Sequence, residues 1–342
     1  MKRIENRPLE KIIIAKKEDR YLSFPDTAIL PDGRFFAVWR DADAHVAKES
    51  HLMLAYGSRD GRQWTEPQAL TDDFGHMPRI TVFADGNVKI IDDGSPSPLP
   101  RPVESSIFTS ADGGKTFARS FLPLGNGREI AQAPVFAPDK LLSCPDGTLV
   151  CAAQLRLGST GRRDDHTFVN LLYRSGDNGV TWYAGTVLAC ERNLKLCEPS
   201  VCRMPDGRLL VLYRVNAAPA EHSRYQFGDE NGYRFGGLSE APFYGQRPTA
   251  GFTADGHLLV TYRRVQKPFG VCAWYGTLEE LQNGGGCELE LCNADGIPAG
   301  DMGYSGWAEY APGCFLCVTH HRTPDEPKPS ICAIPFRSED FR

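Results

Sequence analysis

The residues of this chain best suited to chemistry fall into two registers set by a recurring hairpin phrase. Nine positions before the turn glycine of each phrase stand Phe24, Met77, Pro138, Glu198, Arg247 and Tyr304. Seven positions after it stand Arg40, Asp93, Gln154, Arg214, Arg263 and His320. Several arginines beside one glutamate and one tyrosine suit an anionic ligand, because a guanidinium grips a carboxylate through a planar fork. A tyrosine with a carboxylate neighbour can lose its proton as it attacks an electrophilic carbon. A phenol suits a carbon that carries its own carboxylate, since a charged Asp or Glu would be repelled there. Both registers open at the same end of a hairpin. Glu198, Tyr304, Arg40, Arg214, Arg247, Arg263 and His320 are therefore expected to ring one cavity. The competing reading is a set of salt bridges between neighbouring structural units.

The elements that must position these residues repeat six times. The copies run FPDTAILPDGRFFAVWR from Phe24, MPRITVFADGNVKIIDD from Met77, PDKLLSCPDGTLVCAAQ from Pro138, EPSVCRMPDGRLLVLYR from Glu198, RPTAGFTADGHLLVTYR from Arg247 and YSGWAEYAPGCFLCVTH from Tyr304. Their turn glycines, Gly33, Gly86, Gly147, Gly207, Gly256 and Gly313, lie 49 to 61 residues apart. Each copy reads as two strands joined by a D-G-type turn, with a third strand-like run after most of them and room for a fourth. Four strands repeated six times describe an all-β, six-bladed β-propeller, here expected to span 1–342 as a single catalytic domain. Lys11–Ala15 is expected to complete the last blade and close the ring, which protects the sheet edges. A pair of β-sandwiches is the rival architecture. Helical periodicity is confined to the short run GTLEELQ.

Composition narrows the function classes. The 342 residues include 34 Gly and 25 Pro, above the usual share and spread along the chain, as a fold rich in turns requires. With a net charge of −5 and no Lys/Arg block, nothing points to nucleic acid. No apolar run is long enough for a membrane-spanning helix. The N-terminal apolar stretch Ile12–Ala15 is shorter than a leader peptide needs, so the expected location is cytoplasmic, or secreted if a leader has been removed. The eleven cysteines sit mostly in apolar strand-like runs and are expected to be buried, reduced thiols.

A second motif follows three of the hairpins. Ser175-Gly-Asp177-Asn-Gly179-Val-Thr181-Trp182 is complete, Ser110–Phe117 carries Phe for Trp, and Ser58–Trp64 is one residue shorter. These segments resemble the Asp-box, or bacterial neuraminidase repeat, of sialidase-like propellers. Their own physics is structural, with Ser and Asp bonding backbone amides of a tight turn and the aromatic packing into the blade.

Over essentially its whole length the chain resembles the sialidase superfamily. Glu198-Pro-Ser-Val, followed sixteen residues on by Arg214, looks like the family segment that carries a glutamate partner and an arginine of the carboxylate-binding triad. Gly303-Tyr304-Ser305 looks like the nucleophile segment, and Phe36–Arg40 like the first-blade strand ending in Arg. The resemblance implies an acid/base aspartate on the loop that follows. Asp43, or alternatively Asp41, is the candidate in DADAHVAKES. Two departures stand out. Ser23 occupies the position of the first triad arginine, and VQKPFGV offers only Lys267 where the third belongs.

The resemblance implies an exo-acting glycoside hydrolase of an acidic glycan. Tyr304 would be the nucleophile, Glu198 its base and Asp43 the acid/base. Arg214 would hold the substrate carboxylate. The register, apart from the resemblance, adds Arg247, Arg263, Arg40 and His320 as substrate-binding candidates. No cofactor, metal, nucleic acid or membrane enters this reading, and the sequence sets no oligomeric state. A lyase or other glycosidase of uronic-acid glycans and a noncatalytic glycan-binding propeller are the alternatives. The aromatic-rich connection Asn216–Gln246 fits either a sugar-stacking loop at the channel mouth or ordinary blade packing.

Overall fold

The computed structural model describes residues 1–93, 105–122, 137–157, 167–189, 191, 194–217, 219–297 and 302–342. Two short strands, β1 (Lys2–Ile4) and β2 (Ile12–Ala15), precede six blades. The first blade is β3 (Tyr21–Ile29), β4 (Phe35–Ala42), β5 (Ser50–Gly57) and β6 (Gln68–Ala69). The second is β7 (Arg79–Val82), β8 (Val88–Asp92), β9 (Ser106–Ser110) and β10 (Ala118–Phe121). The third is β11 (Leu141–Ser143), β12 (Leu149–Leu157), β13 (Thr167–Ser175) and β14 (Tyr183–Ala189). The fourth is β15 (Leu196–Arg203), β16 (Leu209–Val215), β17 (Arg224–Gly228) and β18 (Ser239–Glu240). The fifth is β19 (Gly245–Phe252), β20 (Leu258–Arg264), β21 (Gly270–Gly276) and β22 (Cys287–Asn293), with β1 added in parallel at its edge. The sixth is β23 (Ser305–Ala311), β24 (Cys314–His321) and β25 (Ser330–Arg337), completed by β2 pairing antiparallel with β25. The result is a six-bladed β-propeller closed by its N-terminal strand.

Each inner hairpin turns where the repeat places its glycine. All six turn glycines have φ between +69° and +89°, a left-handed conformation that only glycine adopts without steric cost. In the first blade Gly33 N–H bonds Leu30 O and Asp32 Oδ1 accepts from Arg34 N, and the same Asp contact recurs at Asp85, Asp146 and Asp206.

The hydrophobic residues collect at the blade junctions. Phe36, Val38 and Leu52 pack on Ile80, Ile90 and Phe108 between blades one and two. Four further clusters occupy the successive junctions. The last junction, between blades six and one, includes Ile14 and Ala15 of β2. Six junctions with buried apolar clusters make a ring without a gap, which two separate sandwiches would not produce.

The Asp-boxes pin the outer turns. In the third blade Ser175 Oγ accepts from Gly179 N at 2.8 Å and donates to Asp177 Oδ1 at 2.8 Å. Asp177 also accepts from Val180 and Thr181 N at 3.1 and 2.8 Å. Bonds led by that from the Thr181 hydroxyl hold its carboxyl down at about 2. Trp182 reaches into the junction core, and its Nε1 donates to Gly179 O. A fourth turn of this kind, Gly228–Phe235, lacks the Ser-x-Asp signature. Asp229 stands where Ser58 stands in the first blade and accepts from Tyr233 N at 3.0 Å. Gly228 and Phe235 pair as Gly57 and Trp64 do. Phe235 thus belongs to blade packing, as do Tyr225 and Phe243, the latter stacked on Tyr262. The aromatics of Asn216–Gln246 placed in this way are core, and a sugar-stacking role for them is set aside.

Leu278–Asn283 forms the one described α-helix, α1, with a reciprocal Thr277/Glu280 capping box and Gly284 in left-handed conformation at its end. Ten cysteines lie among the described residues; none is disulfide-bonded and all but Cys314 are buried, while Cys190 lies outside them. Cys314 and Cys317 are three apart within β24, where such residues face opposite sides of the sheet.

Candidate active site

The site is built where the innermost strands begin, around the propeller axis. Phe24, Glu198 and Arg247 each precede a proline, and each has a positive φ of 56°, 49° and 50°. At all three the pairing register slips between the flanking residues, which marks a β-bulge. Such a conformation costs about 1–3 kcal/mol in a non-glycine residue and is usually kept where it aims a side chain. In the third blade Ala137 (φ 47°), rather than Pro138, occupies the equivalent place, because that hairpin is one residue longer.

Two tiers of hydrogen bonds tie neighbouring blades together here. In one, an Asp or Ser two residues past the bulge accepts from the next blade. Ile80 N donates to Asp26 Oδ2 at 2.7 Å, Val201 N to Asp139 Oδ2 at 2.6 Å and Ala250 N to Ser200 Oγ at 3.2 Å. In the other, the bulge N–H itself donates. Phe24 N reaches His320 Nδ1 at 3.4 Å, Ala137 N Asp93 Oδ2 at 3.1 Å, Glu198 N Gln154 Oε1 at 2.5 Å and Arg247 N Glu198 Oε2 at 3.0 Å. Part of the second register therefore links blades, through backbone amides and not through salt bridges.

At the centre stand Tyr304, Glu198 and Arg214, brought from blades four and six. Tyr304 Oη donates to Glu198 Oε1 at 2.6 Å. Arg214 Nη1 donates to Glu198 Oε1 at 2.7 Å and to Tyr304 Oη at 2.9 Å. Burial works to raise the Glu198 carboxyl, but Arg214, Arg247 and the Tyr304 hydroxyl outweigh it and hold the group below its ordinary value. Burial and the Glu198 charge push the Tyr304 phenol up to about 12, against Arg214 and Arg263. The resting pair is thus a neutral phenol bonded to a carboxylate.

Arg263 lies with its guanidinium carbon 4.7 Å from the centre of the Tyr304 ring, a cation–π contact. It bonds Gln246 Oε1 and makes no ion pair with any described carboxylate. Gly303, at φ 101°, makes this approach possible, since a Cβ there would meet the Arg263 side chain at 2.8 Å. Phe24 packs on Tyr304 at 5.2 Å and, with Met77 and Ala137, forms a small apolar patch beside it.

The other sequence candidates are placed differently. Arg247 contributes its backbone N–H to Glu198, but its guanidinium is buried and donates to Ala137 O and Pro138 O, so it is part of the wall. Arg40 is also buried. It donates to His45 O and Ala44 O at 3.1 and 3.4 Å, and burial brings it down to about 10. It clamps the loop after β4 and presents its charge to Phe24 at 5.5 Å. His320 is buried behind Phe24 and Tyr304. Asp43 Oδ1 accepts from Lys48 N at 3.1 Å within its own loop. Partial burial favours its protonated form, yet these amide bonds leave it below its ordinary value. Asp41 is paired with Lys17 and Arg20 at 2.7 and 2.6 Å. Ser23 is buried and brings no charge to the position it shares with the first family arginine.

Sequence reasoning missed His76. Its ring lies 5.2 Å from Phe24, and its Nδ1 meets Asp93 Oδ1 at 3.0 Å. The signal was available, because Asp93 stands in the register of Arg214 and His76 precedes Met77 as Cys197 precedes Glu198. Among the described residues no group of three His, Cys, Asp or Glu could hold a metal ion.

Known proteins match this architecture. A structure of a protein of unknown function from Dyadobacter fermentans superposes with a TM-score of 0.82 at 20% identity, covering 97% of this chain and 99% of that one. The NanB sialidase from Streptococcus pneumoniae gives 0.70 at 12% identity, with 98% and 71% covered. The alpha-L-arabinanase of Penicillium chrysogenum, solved with arabinobiose, gives 0.69 at 16% identity, with 98% and 99% covered. These likenesses establish a propeller fold used by glycoside hydrolases. No curated protein matches the sequence. The family model of the BNR repeat-like domain matches residues 33–262, and the chain belongs to that sialidase-like family.

Proposed function

We propose that the protein is a retaining, exo-acting glycoside hydrolase that releases a terminal carboxylated sugar, sialic acid or a relative. The observation that carries this reading is the Tyr304–Glu198–Arg214 cluster, with one Arg214 nitrogen bonded to both oxygens. Tyr304 Oη attacks the anomeric carbon and passes its proton to Glu198 Oε1. A general acid protonates the departing glycosidic oxygen, and water then displaces the tyrosine with the same group as base. The developing phenolate is stabilised by Arg214 and by the Arg263 guanidinium over the ring. Arg263, free of acidic partners among the described residues, is the cation offered to the substrate carboxylate, with Arg214 beside it. The neutral resting state of Tyr304 avoids repelling that carboxylate.

The test is turnover of a fluorogenic α-sialoside alongside a panel of uronic-acid glycans, by the wild type and by Tyr304→Phe. The expected result is release of the terminal sugar with retained configuration and a loss of at least about 100-fold in the variant. Near-wild-type turnover by Tyr304→Phe overturns the assignment. An unsaturated, near-ultraviolet-absorbing product from a uronic-acid glycan would replace hydrolysis by elimination.

A further inference from the structure

We propose that His76, oriented by Asp93, is the general acid/base that works with Tyr304. This assignment rests on the hydrolase reading above and supplies the group that reading leaves open. Two observations bring His76 to the site. It sits one residue before Met77, at the level where Cys197 faces Arg214 and Gln246 faces Arg263 across their hairpins. Its ring also packs edge-on against Phe24 at 5.2 Å, and Phe24 packs on Tyr304 at the same distance, so one phenyl ring separates imidazole and phenol.

The ring is held as a working acid/base is held. Asp93 Oδ1 bonds Nδ1 at 3.0 Å and also accepts from Met77 N at 2.9 Å, while Asp93 Oδ2 accepts from Ala137 N at 3.1 Å. The carboxylate is thereby fixed to two blades. The His76 backbone is fixed as well, its N–H lying 3.2 Å from both oxygens of buried Asp92. Nδ1 is committed to Asp93, which leaves Nε2 for the substrate; no hydrogen bond to a described residue engages it. The side chain is 24% exposed, so a substrate can reach it. A base oriented by a buried carboxylate through its second nitrogen is a recurrent catalytic arrangement. Asp43, by contrast, spends its carboxylate on amides of its own loop.

The step balances with these groups alone. The Nε2 proton of the imidazolium passes to the glycosidic oxygen as its bond to the anomeric carbon breaks. The Tyr304 oxygen bonds that carbon, and the phenolic proton goes to Glu198. In the second half, water gives a proton to Nε2 while its oxygen displaces Tyr304, which recovers its proton from Glu198.

The experiment compares His76→Asn, His76→Gln and Asp43→Asn with the wild type on aryl and alkyl glycosides of the same terminal sugar. Both His76 variants are expected to fold, since the ring is partly exposed. They should lose at least about 100-fold on the alkyl glycoside and under about 10-fold on an activated aryl glycoside, which needs little protonation. Azide should restore release of the aryl group in the His76 variants and yield the glycosyl azide, while Asp43→Asn shows no such dependence. A uniform loss in both His76 variants, with the leaving-group dependence and azide rescue found in Asp43→Asn, overturns the assignment. Absence of turnover by the wild type on every glycoside overturns the hydrolase reading and this assignment with it.

Discussion

At the residue scale the site depends on a carboxylate that stays ionised while buried. Glu198 is 7% exposed and would favour protonation by burial alone, and Arg214 reverses the balance. Its folded value lies below its unfolded one, so the unfolded chain binds the proton more readily. The resulting stability is present above the ordinary value of 4.5 and is lost as pH falls below it. Thermal melts from pH 7 to pH 3 should show a decline that is shallower in Glu198→Gln. At pH 7 that variant should be less stable by about 3 kcal/mol, because Arg214 keeps its charge and loses its partner. Equal slopes in the two proteins would mean that Glu198 does not titrate in this window. Much of this centre was legible in the sequence, since Glu198, Arg214 and Tyr304 fall at fixed offsets from the turn glycines. What the offsets did not reveal is direction. Arg247 shares the register, yet its guanidinium turns into the wall to satisfy two carbonyls. His76 was overlooked although the register offered it, because its partner Asp93 lies seventeen residues away and the pair shows only when the two registers are set across the hairpin.

At the element scale the recurring unit is a hairpin, followed in three of the six blades by an outer turn that an Asp-box locks. Trp182 shows the energetic logic. Its carboxylate-pinned turn holds the indole in the junction between blades two and three, where it is 3% exposed. Trp182→Ala should cost about 3–5 kcal/mol, read from denaturant unfolding at constant slope, while leaving the central residues in place. A cost below about 1 kcal/mol would show that the junction does not depend on the indole. The strands and glycine turns were legible because short apolar runs and D-G turns are local signals. The fourth Asp-box-like turn was not, because Asp229 does with one residue what Ser58 and Asp60 do with two. The proline-linked bulges also escaped notice, since a left-handed Phe, Glu or Arg carries no compositional mark.

At the scale of the whole molecule the ring depends on its ends. β2 supplies the outer strand of the sixth blade, and Ile14 and Ala15 join the junction with the first blade. A chain lacking residues 1–16 should expose the edge of β25, melt at lower temperature and self-associate in light scattering. A truncated chain that is monomeric and melts like the full one would show that closure rests elsewhere. Ring closure was legible from KIIIA, which had no other hairpin to join. The reading of the molecule as a hydrolase rests on more than its fold, because the same propeller carries different activities in its structural relatives. It rests on a nucleophile, and the most direct measurement is to look for the covalent intermediate. The protein is incubated with a fluorinated glycosyl fluoride of a carboxylated sugar, quenched and digested, and the peptides are read by mass spectrometry. One glycosyl unit is expected on the peptide containing Tyr304, absent in Tyr304→Phe. Turnover without that adduct, or an adduct on another residue, would contradict it.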